Sequence, residues 1–296
     1  MPEGPEIRKA ADKIEQAIAR QPLTRVFFAF EHLKPYEALF TGGTVERVRT
    51  VGKAMLTDVV ASDGAAYTIY SHNQLYGRWN VRKAGPYPAS RRSLRLALGT
   101  DQKMALLYSA TDIAVMPRGA EAEHPFIQRA GPDALDSAVT PELVAERLAD
   151  KRFARRRLGG LLLDQAFLTG IGNYLRSEAL FLAHLDPESC PADLSDDQRL
   201  ALAEALLWTT RQSYAHGGLT VPVELAAALK AKGVPRRGYR HHVFGRDGRP
   251  CHHCGAPVER RESAGRRVYV CSSCQPRTGE PADTVSPAAR RRGEAP

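Results

Sequence analysis

The sequence predicts an α+β multidomain protein: an N-terminal antiparallel β-sandwich with a flanking helix, a helical second domain, and a C-terminal β-hairpin finger. Three observations predict it. The hydrophobic period runs from helical to two-residue and back to helical along the chain. Glycine-containing turns separate the short apolar runs of the first half. Four of the five cysteines crowd into residues 251–274. At 296 residues the chain exceeds one typical domain and has ample length to bury a core.

The elements follow in order. Ile7, Ala10, Ala11, Ile14, Ala17 and Ile18 recur at helical spacing, and the helix they predict ends before Pro22. Segments 25–30, 44–51, 55–60, 67–72 and 95–98 are rich in Val, Thr, Tyr, Phe and Leu and read as strands. Ser62-Asp63-Gly64 and Gly99-Thr100-Asp101 supply hairpin turns. Around 117–136 the pattern loosens into a linker. Thr140-Pro141-Glu142 then reads as an N-cap with proline at the first helical position, and Ser195-Asp196-Asp197-Gln198 as a capping box. Residues 158–185 look like two helices broken at Gly170-Ile171-Gly172-Asn173. A Gly-rich basic connector spans about 217–240, and residues 276–296 have too little apolar content to fold. There are no internal repeats.

Cys251-x2-Cys254 and Cys271-x2-Cys274, sixteen residues apart, are two knuckles that place four thiolates around one tetrahedral ion. Four sulfurs leave no position for water, so the chemistry predicts one structural Zn²⁺. His252 and His253 are read as side chains of the knuckle rather than ligands. Between the knuckles, 258–261 and 267–270 flank Ser263-Ala264-Gly265 as strand, turn and strand, which puts Arg260, Arg261, Arg266 and Arg267 on a hairpin suited to phosphate.

The net charge of +9 suits a polyanionic partner, although a merely basic surface accounts for it equally well. No stretch reaches the roughly 18 apolar residues of a membrane helix. The acidic start Met1-Pro2-Glu3-Gly4-Pro5-Glu6 is no secretory signal. A cytosolic, nucleoid-associated protein without a membrane partner is expected, and in that compartment clustered cysteines argue for metal over disulfides. Cys190 reads as a free thiol.

Two further features carry chemistry only in combination. Gly170–Asn173 leaves backbone N–H groups and an asparagine where a phosphate could bind, but on local sequence alone a glycine C-cap turn explains it better. Pro2, once Met1 is removed, offers a secondary amine whose reference pKa of about 7.7–8.0 leaves a usable neutral fraction. Such an amine attacks a sugar C1′ to give an iminium, an electron sink for later elimination. By itself, a Met-Pro-Glu start is more often a helix entry.

Met1-Pro2-Glu3-Gly4-Pro5-Glu6-Ile7, the lysine of Val51-Gly52-Lys53, Ser71-His72-Asn73-Gln74-Leu75-Tyr76-Gly77, Gly170-Ile171-Gly172-Asn173-Tyr174 and the four-cysteine finger occur in this order. The layout resembles the formamidopyrimidine-DNA glycosylase/endonuclease VIII family from residue 1 to about 275. Gly4, the Gln74-Leu75-Tyr76 triplet, and Ala166 where the purine-directed branch tends to have lysine place the resemblance in the endonuclease VIII branch.

The resemblance implies a base-excision-repair enzyme, both DNA glycosylase and AP lyase. It would act as a monomer on double-stranded DNA carrying a damaged base or an abasic site, held between the two main domains. The expected domains are a catalytic sandwich at 1–125, a linker at 126–139, a helix–two-turn–helix domain at 140–239 and a zinc finger at 240–275, followed by a tail at 276–296 that its composition predicts to be disordered. Pro2 matches the Schiff-base nucleophile, Glu3 the acid/base residue, Lys53 the lysine assigned to β-elimination, and Arg266 the finger arginine assigned to δ-elimination. Gln74, Leu75 and Tyr76 match the wedge entering the duplex, and Arg129, Asn173 and His72 match DNA contacts. Glu6 resembles a further active-site carboxylate, with a helix-start role as its alternative. The expected substrate is an oxidised pyrimidine; the rivals are an oxidised-purine glycosylase and a non-catalytic zinc-finger DNA-binding paralogue.

Overall fold

A computed structural model describes residues 2–277 and divides the chain into two compact units, meeting in sequence at Ala130 and Gly131. The tail expected over 276–296 lies, from 278 onward, outside the described residues.

The first unit opens with α1 (Gly4–Ile18), followed by β1 (Arg25–Phe28), α2 (Pro35–Phe40), β2 (Thr44–Val51), β3 (Ala54–Val60), β4 (Ala66–His72), β5 (Arg78–Lys83), β6 (Leu94–Gly99), β7 (Lys103–Tyr108), β8 (Asp112–Pro117) and α3 (Pro125–Arg129). The eight strands form two antiparallel four-stranded sheets, ordered β1-β6-β7-β5 and β2-β3-β4-β8. The two-residue period sorts the side chains. Met55, Val59, Ile69, Leu96, Leu98, Ala105 and Leu107 enter one core with Ile7, Ala11, Ile14 and Ile18 of α1. Burying each of those isoleucines contributes roughly 1.5–3 kcal/mol, enough to fix where the helix begins.

On the outer face of the second sheet, Ala54, Leu56 and Tyr70 pack against Phe126 and Ile127 of α3. The stretch read as a linker over 117–136 is therefore partly structured. The same face buries Asp58, which accepts hydrogen bonds from Arg47, Arg49 and Thr68; these neighbours, against the opposing cost of burial, hold its carboxyl below the usual range.

The second unit contains α4 (Pro141–Ala149), α5 (Leu158–Leu161), α6 (Asn173–Leu182), α7 (Asp196–Ala215), α8 (Val223–Ala231), α9 (Arg236–Tyr239), β9 (Glu259–Ser263) and β10 (Arg266–Val270). Thr140 caps α4 through Leu143 N–H, and Ser195 and Gln198 form the capping box of α7. Helix α6 is the axis of this unit: every residue from Tyr174 to Phe181 is buried. The first helix expected in 158–185 is only the single turn α5. Beyond it Gln165 shapes the chain, accepting the Gly170 N–H at 3.1 Å and donating to the carbonyls of Leu163 and Ile171. The connector is a correction too, since α8 and α9 occupy much of it.

Candidate active site and nucleic-acid interface

Pro2 precedes Glu3, the N-cap of α1. The Glu3 N–H donates to Glu6 Oε2 at 3.0 Å while the Glu3 carboxylate accepts the Glu6 backbone N–H, a reciprocal capping box. Glu3 is 3% exposed. Glu6 is thus a helix-start residue in this geometry, the structural alternative raised above.

Lys53 stands at the tip of the β2–β3 hairpin. Val51 pairs with Ala54 across the two-residue turn Gly52-Lys53, and Gly52 takes φ +56°, as such a turn requires. Next to Lys53, Ala54 pairs with His72 of β4, and His72 in turn pairs with Asp112 of β8. Burial pushes the His72 imidazole below its ordinary pKa; Asp112 opposes that shift and the Lys53 charge adds to it. The neutral ring accepts the Gln74 N–H at Nδ1, 3.1 Å away, which assigns the ring proton to Nε2.

The loop that follows presents the three residues read as a wedge. Gln74 has φ +49°, a conformation that costs a non-glycine residue about 1–2 kcal/mol. Its Oε1 accepts from Thr111 Oγ1 at 2.7 Å. Arg92 donates to the Tyr76 carbonyl at 2.8 Å, and Gly77 N–H closes the loop on Asn73 O at 2.7 Å. A Cβ at Gly77 would lie 2.5 Å from that same carbonyl, so only glycine fits. Inside this frame Leu75 is 60% and Tyr76 71% exposed. Large apolar groups held in water on an ordered loop mark a surface made to be covered.

Arg129 ends α3 with its side chain in solvent; the helix is placed by Phe126 and Ile127 and started by His124, whose Nδ1 accepts the Phe126 N–H and whose ring stacks on Tyr70 at 3.8 Å.

In the second unit Asn173 begins α6. Its Nδ2 donates to the Arg267 carbonyl at 2.7 Å, and its Oδ1 accepts from Arg176 at 2.7 Å. The residue read as a phosphate contact therefore also ties the glycine turn to the finger, with one Nδ2 hydrogen left over. Arg176 is fully buried and donates to the carbonyls of Gly159, Ser263 and Arg267.

The finger hairpin pairs Arg266 with Ser263 across Ala264-Gly265, whose φ values of +53° and +68° make the mirror-image turn that such hairpins favour. Arg266 and Arg267 are exposed, and the Arg266 side chain has no partner among the described residues. Arg261 corrects the reading of four phosphate-facing arginines. It donates to Asp186 at 2.8 Å and to Ser272 and Glu259, so it belongs to the scaffold.

The four cysteine sulfurs lie within 4.8 Å of one another. Cys251 and Cys274 are 4.0 Å apart and Cys254 and Cys271 3.4 Å, either side of the edge of roughly 3.8 Å that a tetrahedron with zinc–sulfur bonds near 2.3 Å requires. Gly255, at φ +80°, turns the first knuckle, and His253 N–H points at Cys251 Sγ at 3.4 Å. His252 faces Gly238 O and Arg246, so neither histidine joins the sulfur cluster. The donor set fits one metal ion.

Residues 1–111 match the formamidopyrimidine-DNA glycosylase N-terminal domain, and residues 130–224 match the H2TH domain of the same enzyme. Endonuclease 8 of Pectobacterium carotovorum subsp. carotovorum is 47% identical over 275 residues, 93% of this chain and all of that protein. The family is settled. This chain belongs to the formamidopyrimidine-DNA glycosylase/endonuclease VIII family. Endonuclease 8 of Klebsiella pneumoniae subsp. pneumoniae matches equally, at 47% over the same share. Lactococcus lactis Fpg bound to DNA containing N7-benzyl-Fapy-dG shares the fold at a TM-score of 0.76 and 18% identity, covering 93% of this chain and all of that one. The same enzyme with abasic-site DNA does so at 0.76. The family makes the chain a DNA glycosylase with AP lyase activity, working in base excision repair on DNA. Among the described residues, no helix is long and apolar enough to cross a membrane.

Sequence reasoning missed Glu178. It is completely buried and accepts from Thr220 Oγ1 and from the backbone N–H groups of His242, Val243 and Phe244 at 2.6–2.8 Å. Burial opposes its charge, but His241, His242 and these donors win and hold its pKa low. Nothing local distinguishes it from the many glutamates of a helix face; a carboxylate amid Leu175, Ala179 and Leu180 was the available signal.

Proposed function

We propose that this chain excises oxidised pyrimidines from duplex DNA, attacking the sugar C1′ with the Pro2 amine and cleaving the strand by β- and then δ-elimination. The observation that carries the reading is the placement of Pro2 at the head of α1 beside the buried carboxylate Glu3, in the unit that also presents the Leu75–Tyr76 loop. Chemistry at C1′ needs the nucleotide out of the stack, at a cost of about a few kcal/mol, and an apolar plug in the vacated space offsets it. Leu75 fills that role, with Tyr76 stacking and Gln74 hydrogen-bonding. The Gln-Leu-Tyr triplet and the endonuclease 8 relatives favour a pyrimidine lesion.

In this reading the Pro2 nitrogen forms the bond to C1′ as the bond to the base breaks, and Glu3 handles the protons of ring opening and base departure. The resulting iminium acidifies C2′, and loss of that proton expels the 3′ phosphate, with Lys53 serving this step and holding phosphate. A second elimination expels the 5′ phosphate, assisted by Arg266. Arg129 and Asn173 bind backbone phosphate. Cys251, Cys254, Cys271 and Cys274 hold one Zn²⁺, which fixes the hairpin bearing Arg266 and takes no part in the reaction. The protein works as a monomer at the nucleoid.

A panel of otherwise identical duplexes tests the substrate. The reading expects excision of an oxidised pyrimidine to exceed that of an oxidised purine by tenfold or more (about 1.4 kcal/mol), with ends left by both eliminations. Faster excision of the purine lesion favours the purine-directed rival, and a gel shift with no cleavage favours the non-catalytic one.

A further inference from the structure

His72 sits one register position from Lys53, yet its ring is engaged by the wedge loop. We propose that His72 and Thr111 are positioning residues for damage recognition, holding Gln74 in the left-handed conformation that presents Leu75 and Tyr76 to DNA. The proposal rests on reading Gln74–Tyr76 as the wedge, and it gives His72 a role other than contacting DNA.

Gln74 is not glycine, and its φ of +49° persists only because its surroundings impose it. Two side chains do so. His72 Nδ1 accepts the Gln74 N–H at 3.1 Å, two residues along, in the manner of an Asx turn. Thr111, just ahead of β8, donates its hydroxyl to Gln74 Oε1 at 2.7 Å. The histidine itself has little freedom. Its backbone is paired on both sides, to Ala54 and to Asp112, and its ring meets Phe126 at 5.3 Å. With Oε1 engaged by Thr111, Gln74 keeps its two Nε2 hydrogens as donors for the opposing strand.

The loop is therefore set before DNA arrives. Arg92 and Gly77 brace its far side through the Tyr76 and Asn73 carbonyls, and the two apolar side chains remain exposed. A wedge already in shape does not lose conformational freedom at the moment it enters the duplex.

The test compares single-turnover excision of an oxidised pyrimidine with cleavage of a preformed abasic site in the same duplex, for the wild type, His72→Ala, His72→Asn and Thr111→Val. Asparagine restores an acceptor for the Gln74 N–H but carries no imidazole. The ratio of excision to abasic-site cleavage should fall about tenfold in His72→Ala and a few-fold in Thr111→Val, the range one hydrogen bond gives. It should return to within about threefold of wild type in His72→Asn. An unchanged ratio in His72→Ala and Thr111→Val overturns the proposal, as does His72→Asn falling as far as alanine, which points to the imidazole itself. Should His72→Ala not fold, His72→Asn and Thr111→Val decide by the same criteria. A wild type that cleaves neither duplex contradicts the enzymatic reading instead, and is distinguishable before any variant is compared.

Discussion

Asn173 donates its Nδ2 to the main-chain carbonyl of Arg267, 2.7 Å away and 94 residues further along the chain. Arg176 donates to the same oxygen at 3.0 Å and to the Asn173 carboxamide. The glycine turn and the finger hairpin are thereby held as one piece, so the asparagine positions Arg266 and Arg267 as well as its own spare hydrogen. Asn173→Asp places a carboxylate against a carbonyl and beside the phosphate proposed to bind there. DNA affinity at fixed salt, measured by fluorescence anisotropy, should fall about tenfold or more, and Asn173→Ala should lose less.

Arg266 extends from the hairpin into solvent without a partner among the described residues. Removing it costs the scaffold nothing that the structure shows. Arg266→Ala should fold normally, lower the salt dependence of DNA binding by about one phosphate contact, and accumulate the product of the first elimination. Gel analysis of strand ends over time reads the second effect directly; unchanged conversion to the δ product would remove Arg266 from that step.

Much of this architecture was legible because local chemistry and tertiary structure agree. Thr140-Pro141 and Ser195 with Gln198 begin helices as their side chains dictate, and the cysteine spacing brings four sulfurs together. The misses arise where local composition hides an element that the folded chain forms. Helices α8 and α9 were hidden in a connector whose glycines and charges read as loop. At the site, residue types were readable, but partners were not. Spacing could not show that Arg261 turns inward to Asp186, that Glu6 caps α1, or that His72 faces Gln74.

The four-cysteine cluster predicts that the finger depends on a bound metal. A two-stranded ribbon such as β9–β10 is marginal alone, and four crowded thiols resist folding without a cation among them. Elemental analysis should find one zinc per chain. Chelation, or Cys254→Ser, should abolish tight DNA binding while the melting of the β-sandwich unit stays where it was. A protein that binds damaged DNA equally well without metal would remove zinc from the account.

The buried pair His241 and Glu178 sets an acid limit on the helical unit. Thr220 Oγ1 links them, 2.6 Å from Glu178 and 2.8 Å from His241. Burial, against the opposing pull of Glu178, lowers the His241 pKa to about 4, below its unfolded value of about 6.5. Between those values the unfolded chain binds the extra proton, so stability is full above about pH 6.5 and declines as pH falls toward 4. Glu178, also held below its usual pKa, acts in the same direction at still lower pH. Urea unfolding of zinc-loaded protein should lose about 3 kcal/mol across that window. His241→Gln should flatten the dependence.

The central claim is that the Pro2 amine is the nucleophile, and borohydride trapping on an abasic-site duplex with peptide mapping tests it most directly. Protein lacking Met1 should give a covalent DNA adduct that maps to residue 2, while Pro2→Gly or a Met1-retaining form should give little. An undiminished adduct in Pro2→Gly, or one that maps to Lys53, would contradict it.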